Sequence, residues 1–240
     1  MSAPGGSGGE PTALAHRLRP AASDPQGALV LLHGRGTDEN DLYPVLDMLD
    51  PQQRLHGVTV RAPLSLPPGG RHWYAIQSVG HPDPATFSET YSLLDATLRS
   101  LLGDLGVPAG RTVLGGFSQG TVMSYAMGLG ADRPRPAAIL ALSGFIPTVP
   151  GLQLDLESRR GLPVLIAHGS MDPVIGVQLG RDAHDRLSAA GLDVTYRESA
   201  MGHSIDPRLL PEMQTWLSDV VSRAVSPTTP TTSSPAAGAA

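Results

Sequence analysis

Short apolar runs alternate along the chain with longer stretches in which apolar residues recur every three or four positions. The runs are Gly27–Leu32, Val58–Pro63, Thr112–Gly116, Ala137–Ser143 and Pro163–His168, with a more polar one at Val194–Glu198. Continuous apolar runs of this kind suit strands buried on both faces, as in a parallel sheet. Between them, Phe87, Tyr91, Leu94, Leu98 and Leu101 form one helical stripe, and Leu209, Met213, Trp216/Leu217 and Val220/Val221 form another. Ala183, Leu187 and Ala190 make a third, stopped by Gly191 as a C-terminal cap, and Gln119–Leu129 reads as a helix closed by Gly130. Strand–helix alternation predicts a doubly wound, mostly parallel α/β sheet with helices on both faces and ligands at the carboxyl ends of the strands.

The two ends differ from this middle. Met1–Pro11 is rich in Gly, Ser and Pro, and Ser226–Ala240 carries neither charge nor a large apolar side chain. Such segments bury too little surface to offset the entropy of ordering them. The expected organisation is a flexible N-terminal tail over 1–22 containing an edge strand, one domain over 23–224, and a flexible tail over 225–240. No insertion is long enough for a separate lid domain.

Composition narrows the chemistry. Among 240 residues there is no cysteine, and all 17 basic residues are arginine. That removes cysteine nucleophiles, thiolate metal sites, Schiff-base lysines and the lysine-ended phosphate loop. A net charge of -5 argues against nucleic acid held by electrostatics. No apolar run approaches the roughly 20 residues of a membrane span, and the N-terminus lacks an apolar signal core. The expectation is a cytoplasmic domain with no metal, no cofactor, no nucleic acid and no stable membrane association, acting through Ser, Thr, His, Asp, Glu, Arg or Tyr. A homodimer is left open.

Gly116-Phe117-Ser118-Gln119-Gly120 matches the pattern G-x-S-x-G. A second copy, at Gly5, Ser7 and Gly9, has no strand before it and no helix after it. The copy at Ser118 has both, which is the setting of a nucleophile elbow. A sharp strand-to-helix turn raises the serine oxygen at the sheet edge, beside a helix N-terminus that favours negative charge. The flanking glycines leave room for crossing backbone.

A serine hydroxyl needs an imidazole to take its proton and a carboxylate to orient that imidazole. In such a fold they follow the serine in the order acid, then histidine. Asp172, just past the run Pro163–His168, and His203, just past Val194–Glu198, satisfy both order and placement. His16, His56, His72 and His81 precede the serine, His184 lies in a charged helical stretch, and His168 suits a local hydrogen bond. Two N–H donors must face the developing oxyanion. They are expected at Gln119, next to the nucleophile, and at Arg35, in the glycine-bearing loop Leu32–Gly36. Two longer connections, Pro63–Pro84 with Trp73 and Tyr74, and Gly144–Gly161 with Phe145 and Ile146, are expected to roof the site. Trp73, Phe145 and Ile146 are the candidate substrate contacts.

LLHGRGTDENDL (Leu31–Leu42), GGFSQGTVMSYAMGL (Gly115–Leu129), LSGFIP (Leu142–Pro147), HGSMDPVI (His168–Ile175) and MGHSI (Met201–Ile205) together resemble the phospholipase/carboxylesterase family of α/β-hydrolases. The resemblance covers most of residues 27–222. It implies an α/β-hydrolase fold, a triad of Ser118, Asp172 and His203, and backbone donors at Arg35 and Gln119. Acyl-protein thioesterases of that family tend to carry an apolar residue where this chain has Arg35 and an acid where it has Thr37, so the chain looks like the bacterial carboxylesterase branch. The resulting expectation is a serine carboxyl-ester hydrolase acting through an acyl-enzyme on short- to medium-chain soluble esters. An acyl thioesterase, a lysophospholipase and a catalytically silent binding module of the same fold are the alternatives.

Overall fold

The computed structural model describes residues 13–225, apart from the side chain of Gln77; of the tails expected over 1–22 and 225–240, residues 1–12 and 226–240 lie outside the described residues. In chain order the elements are β1 (His16–Arg19), β2 (Ala28–Leu32), α1 (Tyr43–Leu49), β3 (His56–Val60), β4 (Leu64–Leu66), β5 (Gly70–His72), β6 (Ile76–Ser78), β7 (His81–Pro82), α2 (Pro84–Asp104), β8 (Thr112–Phe117), α3 (Gln119–Leu129), β9 (Ala138–Leu142), β10 (Pro163–Gly169), α4 (Val177–Ala189), β11 (Asp193–Ser199) and α5 (Leu210–Val225).

Seven strands make one sheet in the order β1-β3-β2-β8-β9-β10-β11. Only β1 runs antiparallel, pairing His16 with Val60 through Arg19 with Gly57. The sheet therefore begins inside the segment read as a tail with an edge strand. Arg19 explains why this edge holds: its guanidinium is buried, 2.9 Å from Asp47 Oδ1 and 3.0 Å from Asp50 Oδ2, and donates to the Leu55 carbonyl. Removing one partner of such a buried pair strands the other charge, at about 3–5 kcal/mol.

The inner strands are largely apolar on both faces because both are covered. Leu29 and Leu31 of β2 point to the side of α1 and α5, where Leu46, Leu49, Trp216 and Leu217 pack. Val30 and Leu32 point to the other side, with Phe87 and Leu94 of α2 and Met123 of α3. Further along that side, Tyr125 and Leu129 of α3 meet Ala183 and Leu187 of α4. Helix α2 starts where the chemistry says it should: Pro84 occupies its first turn and the Asp83 carboxylate accepts the Thr86 N–H at 3.0 Å. β3 lies two residues earlier than the apolar run, since its register follows β2, Ala28 opposite His56 and Leu32 opposite Val60.

Candidate active site

The strand ends bring together the residues that the spacing singled out. β8 ends at Phe117, α3 begins at Gln119, and Ser118 between them has φ 55° and ψ −119°. A non-glycine residue held there is strained, and the surroundings must impose it. They do: the Ser118 N–H donates to Leu142 O at 2.9 Å, and the flanking glycines touch backbone. A Cβ on Gly116 would lie 2.3 Å from the Gly120 carbonyl carbon, and one on Gly120 only 1.8 Å from Leu32 O. The pattern G-x-S-x-G is thus a statement about three backbones crossing at one point.

Ser118 Oγ lies 2.9 Å from His203 Nε2, and His203 Nδ1 lies 2.6 Å from Asp172 Oδ2. The other carboxylate oxygen of Asp172 accepts the N–H groups of Val174 at 2.8 Å and Ile175 at 2.9 Å. Burial works against ionising Asp172 and is the largest single influence on it. The His203 hydrogen bond and the two backbone donors together outweigh burial and hold the carboxyl below its ordinary range. An ionised Asp172 fixes the His203 proton on Nδ1, leaving Nε2 to accept from Ser118. Phe117 packs against the imidazole, ring centroids 4.8 Å apart. The loops bearing Asp172 and His203 press on each other at Gly169, where a Cβ would sit 2.2 Å from Gly202 O. His168 does not join this chain as a base; its Nε2 is 2.7 Å from the Ile175 carbonyl, a local bond as its position suggested.

The loop after β2 lies beside the serine. A Cβ on Gly34 would come within 3.0 Å of the Phe117 ring and 3.5 Å of Ser118 Cβ. The N–H of Gln119, first in α3, has no intrahelical acceptor, and no acceptor among the described residues takes that of Arg35. Two groups that sequence reasoning did not single out hold this corner. His33 is buried, accepts the Ala62 N–H on Nε2 at 3.0 Å, and therefore carries its proton on Nδ1, 2.7 Å from Gly34 O. Burial lowers its pKa, only partly offset by that carbonyl, so it stays the neutral clip such a network needs. The Gln119 side chain accepts from Trp73 N and donates to Tyr74 O, both at 3.0 Å, pinning the roof to the elbow.

A cleft of about 80 Å³ opens beside Ser118 and Gln119, lined by Tyr74, Ile76, Val79, Phe145 and Ile175 among others. Phe145 is placed as expected. Trp73 and Ile146 are not, and both assignments are corrected. Trp73 is fully buried, its indole N–H donating to His33 O at 2.8 Å; it plugs the core under the roof while its neighbour Tyr74 faces the cleft. Ile146 turns the other way, onto the apolar cluster around Tyr125 and Leu162.

The family described as Phospholipase/Carboxylesterase matches residues 16–221. The chain belongs to that family. It is 27% identical over 223 residues to an acyl-protein thioesterase 1 of Gibberella zeae, covering 85% of this chain and 94% of that protein. Esterase PE8 superposes with a TM-score of 0.76 at 28% identity, over 87% of this chain and 99% of its own. The Bacillus cereus carboxylesterase superposes with a TM-score of 0.75 over 86% and 94%, and at 21% identity speaks for the α/β-hydrolase fold alone. This family member is a serine hydrolase. None of its described helices is long and apolar enough to cross a membrane.

Proposed function

We propose that the protein hydrolyses short- to medium-chain soluble esters through an acyl-enzyme. Ser118 is the nucleophile, His203 the base, Asp172 its orienting carboxylate, and the N–H groups of Arg35 and Gln119 the oxyanion donors. The observation that carries the reading is the unbroken hydrogen-bonded chain from Ser118 Oγ through the imidazole to Asp172. Ser118 Oγ attacks the ester carbonyl while its proton passes to His203 Nε2. The tetrahedral oxyanion is met by the two N–H groups, and collapse expels the alcohol with the proton returned by His203. Water then repeats the sequence on the acyl-enzyme.

Two results are expected of the base and its partner. Asp172 is held below the usual carboxylate range, so it stays ionised well below neutrality and adds no proton uptake of its own to the acid limb of kcat/KM. A plot of log kcat/KM against pH should have a limiting slope of one on that side; a slope of two would mean a second essential proton. Asp172→Asn should lower kcat by about 10⁴. The same carboxyl contributes stability that is present above its unfolded pKa and lost only as pH falls through its lower folded value.

Chain length is the test of the substrate class. A cleft of about 80 Å³ has room for on the order of three water-sized groups. Each methylene buried contributes about 0.8 kcal/mol, roughly fourfold in kcat/KM. Activity on p-nitrophenyl esters below micelle formation should climb from acetate to butyrate or hexanoate and then level. A continuous climb to palmitate would replace this reading with the long-chain ones. The relatives named acyl-protein thioesterases favour one second reading, since a thioester yields the same acyl-enzyme; higher kcat/KM on an S-butyryl thioester than on the matched ester would establish it.

A further inference from the structure

Arg35 lines the cleft, yet in the proposed mechanism only its backbone is used. Its side chain is exposed, and among the described residues it has no hydrogen bond or ion pair. The acids nearest in sequence are occupied elsewhere. Asp38 accepts from Asn40 N at 2.9 Å and from its side-chain amide at 3.0 Å, while Glu39 forms a two-pronged pair with Arg61. Every other residue lining the cleft is uncharged, and most are apolar. A permanent cation is therefore held at the rim of an apolar slot, beside the nucleophile, with no ion-pair partner among the described residues. A guanidinium presents a planar fork of donors suited to two-pronged binding of a carboxylate or phosphate.

We propose that Arg35 determines substrate specificity by binding an anionic group of the ester, a carboxylate or a phosphate, so that the natural substrate is an ester with an apolar stretch and a negative charge near the scissile bond. The assignment rests on the hydrolytic reading above. It leaves two sources for the anion, the acyl chain or the alcohol, which the experiment separates.

Three chromogenic esters are compared: neutral p-nitrophenyl pentanoate, mono-p-nitrophenyl glutarate with the charge on the acyl side, and 4-butyryloxy-3-nitrobenzoate with the charge on the leaving group. Arg35→Gln retains the backbone N–H and removes the cation. It should lower kcat/KM for at least one anionic ester about tenfold more than for the neutral one, chiefly through KM. Arg35→Lys should recover part of that difference. The affected ester tells which side of the substrate faces Arg35, and its kcat/KM should fall as salt is raised. Equal changes on all three esters would overturn the assignment. If none of the esters is cleaved, the hydrolytic reading fails by itself. The anion site is then read by titrating glutarate and 4-hydroxy-3-nitrobenzoate calorimetrically into wild type and Arg35→Gln. Weaker binding to the variant supports it; equal binding, or none to either protein, overturns it.

Discussion

Ser118→Ala should abolish stoichiometric labelling by a fluorophosphonate and reduce kcat by roughly 10⁶, leaving only the residual catalysis that the oxyanion donors and binding supply. The size follows from the geometry. No other serine has an imidazole nitrogen at 2.9 Å that is itself anchored to a buried carboxylate among the described residues. Without the hydroxyl, the oxyanion donors and the cleft remain, but no acyl-enzyme forms. Mass spectrometry of the labelled wild type should place the adduct on Ser118 and nowhere else. An adduct on another serine, or labelling retained in the variant, would move the nucleophile.

The largest effect on stability is expected two residues away, at Gly120→Ala. The added Cβ would lie 1.8 Å from Leu32 O, 2.4 Å from its carbon and 2.7 Å from His33 O, all of them backbone. No rotamer change relieves a clash with a strand; either β2 or α3 must move. Both are buried throughout, so a loss of more than about 4 kcal/mol, or failure to accumulate folded protein, is expected. Gly103→Ala supplies the control. Gly103 lies near the end of α2 with nothing within 4 Å of the new methyl, so the change should stabilise by about 0.5–1 kcal/mol. Urea unfolding of the two variants checks both signs. A mild loss at Gly120 would show that the elbow tolerates displacement.

Much of this was legible in the residues because it is local. The runs Thr112–Gly116 and Pro163–His168 announce β8 and β10, and α3 occupies the predicted Gln119–Leu129. Ser118, Asp172 and His203 could be placed because each sits directly after a strand, where spacing along the chain still carries spatial meaning. Elements set by tertiary contact escaped. Helix α1 is seven residues long with no side-chain cap, and it exists because Leu46 and Leu49 are buried under α5. The hairpin β4–β5 is fastened from outside itself, the Gly36 N–H donating to Arg71 O and a Cβ on Gly70 reaching within 2.3 Å of Gly36 O. Trp73 and Ile146 were misread for one reason. An aromatic or branched residue in a roofing loop can face inward or outward, and only the closed structure, with the His33 carbonyl waiting for the indole N–H, decides which.

All eleven residues of α3 are buried, so the helix that carries Ser118 lies inside the fold with neighbours on every side. It has no solvent-facing half along which to fray, and opening it means dismantling the sheet around it. The working life of the nucleophile is therefore tied to cooperative unfolding of the whole domain. Heating should deplete activity and folded protein together, with little of a softened, half-active species between. For anyone seeking a more durable catalyst, reinforcement far from Ser118, at the edge strand β1 or the underside of α5, would prolong turnover as effectively as stiffening the cleft, and without disturbing the loops that choose the substrate.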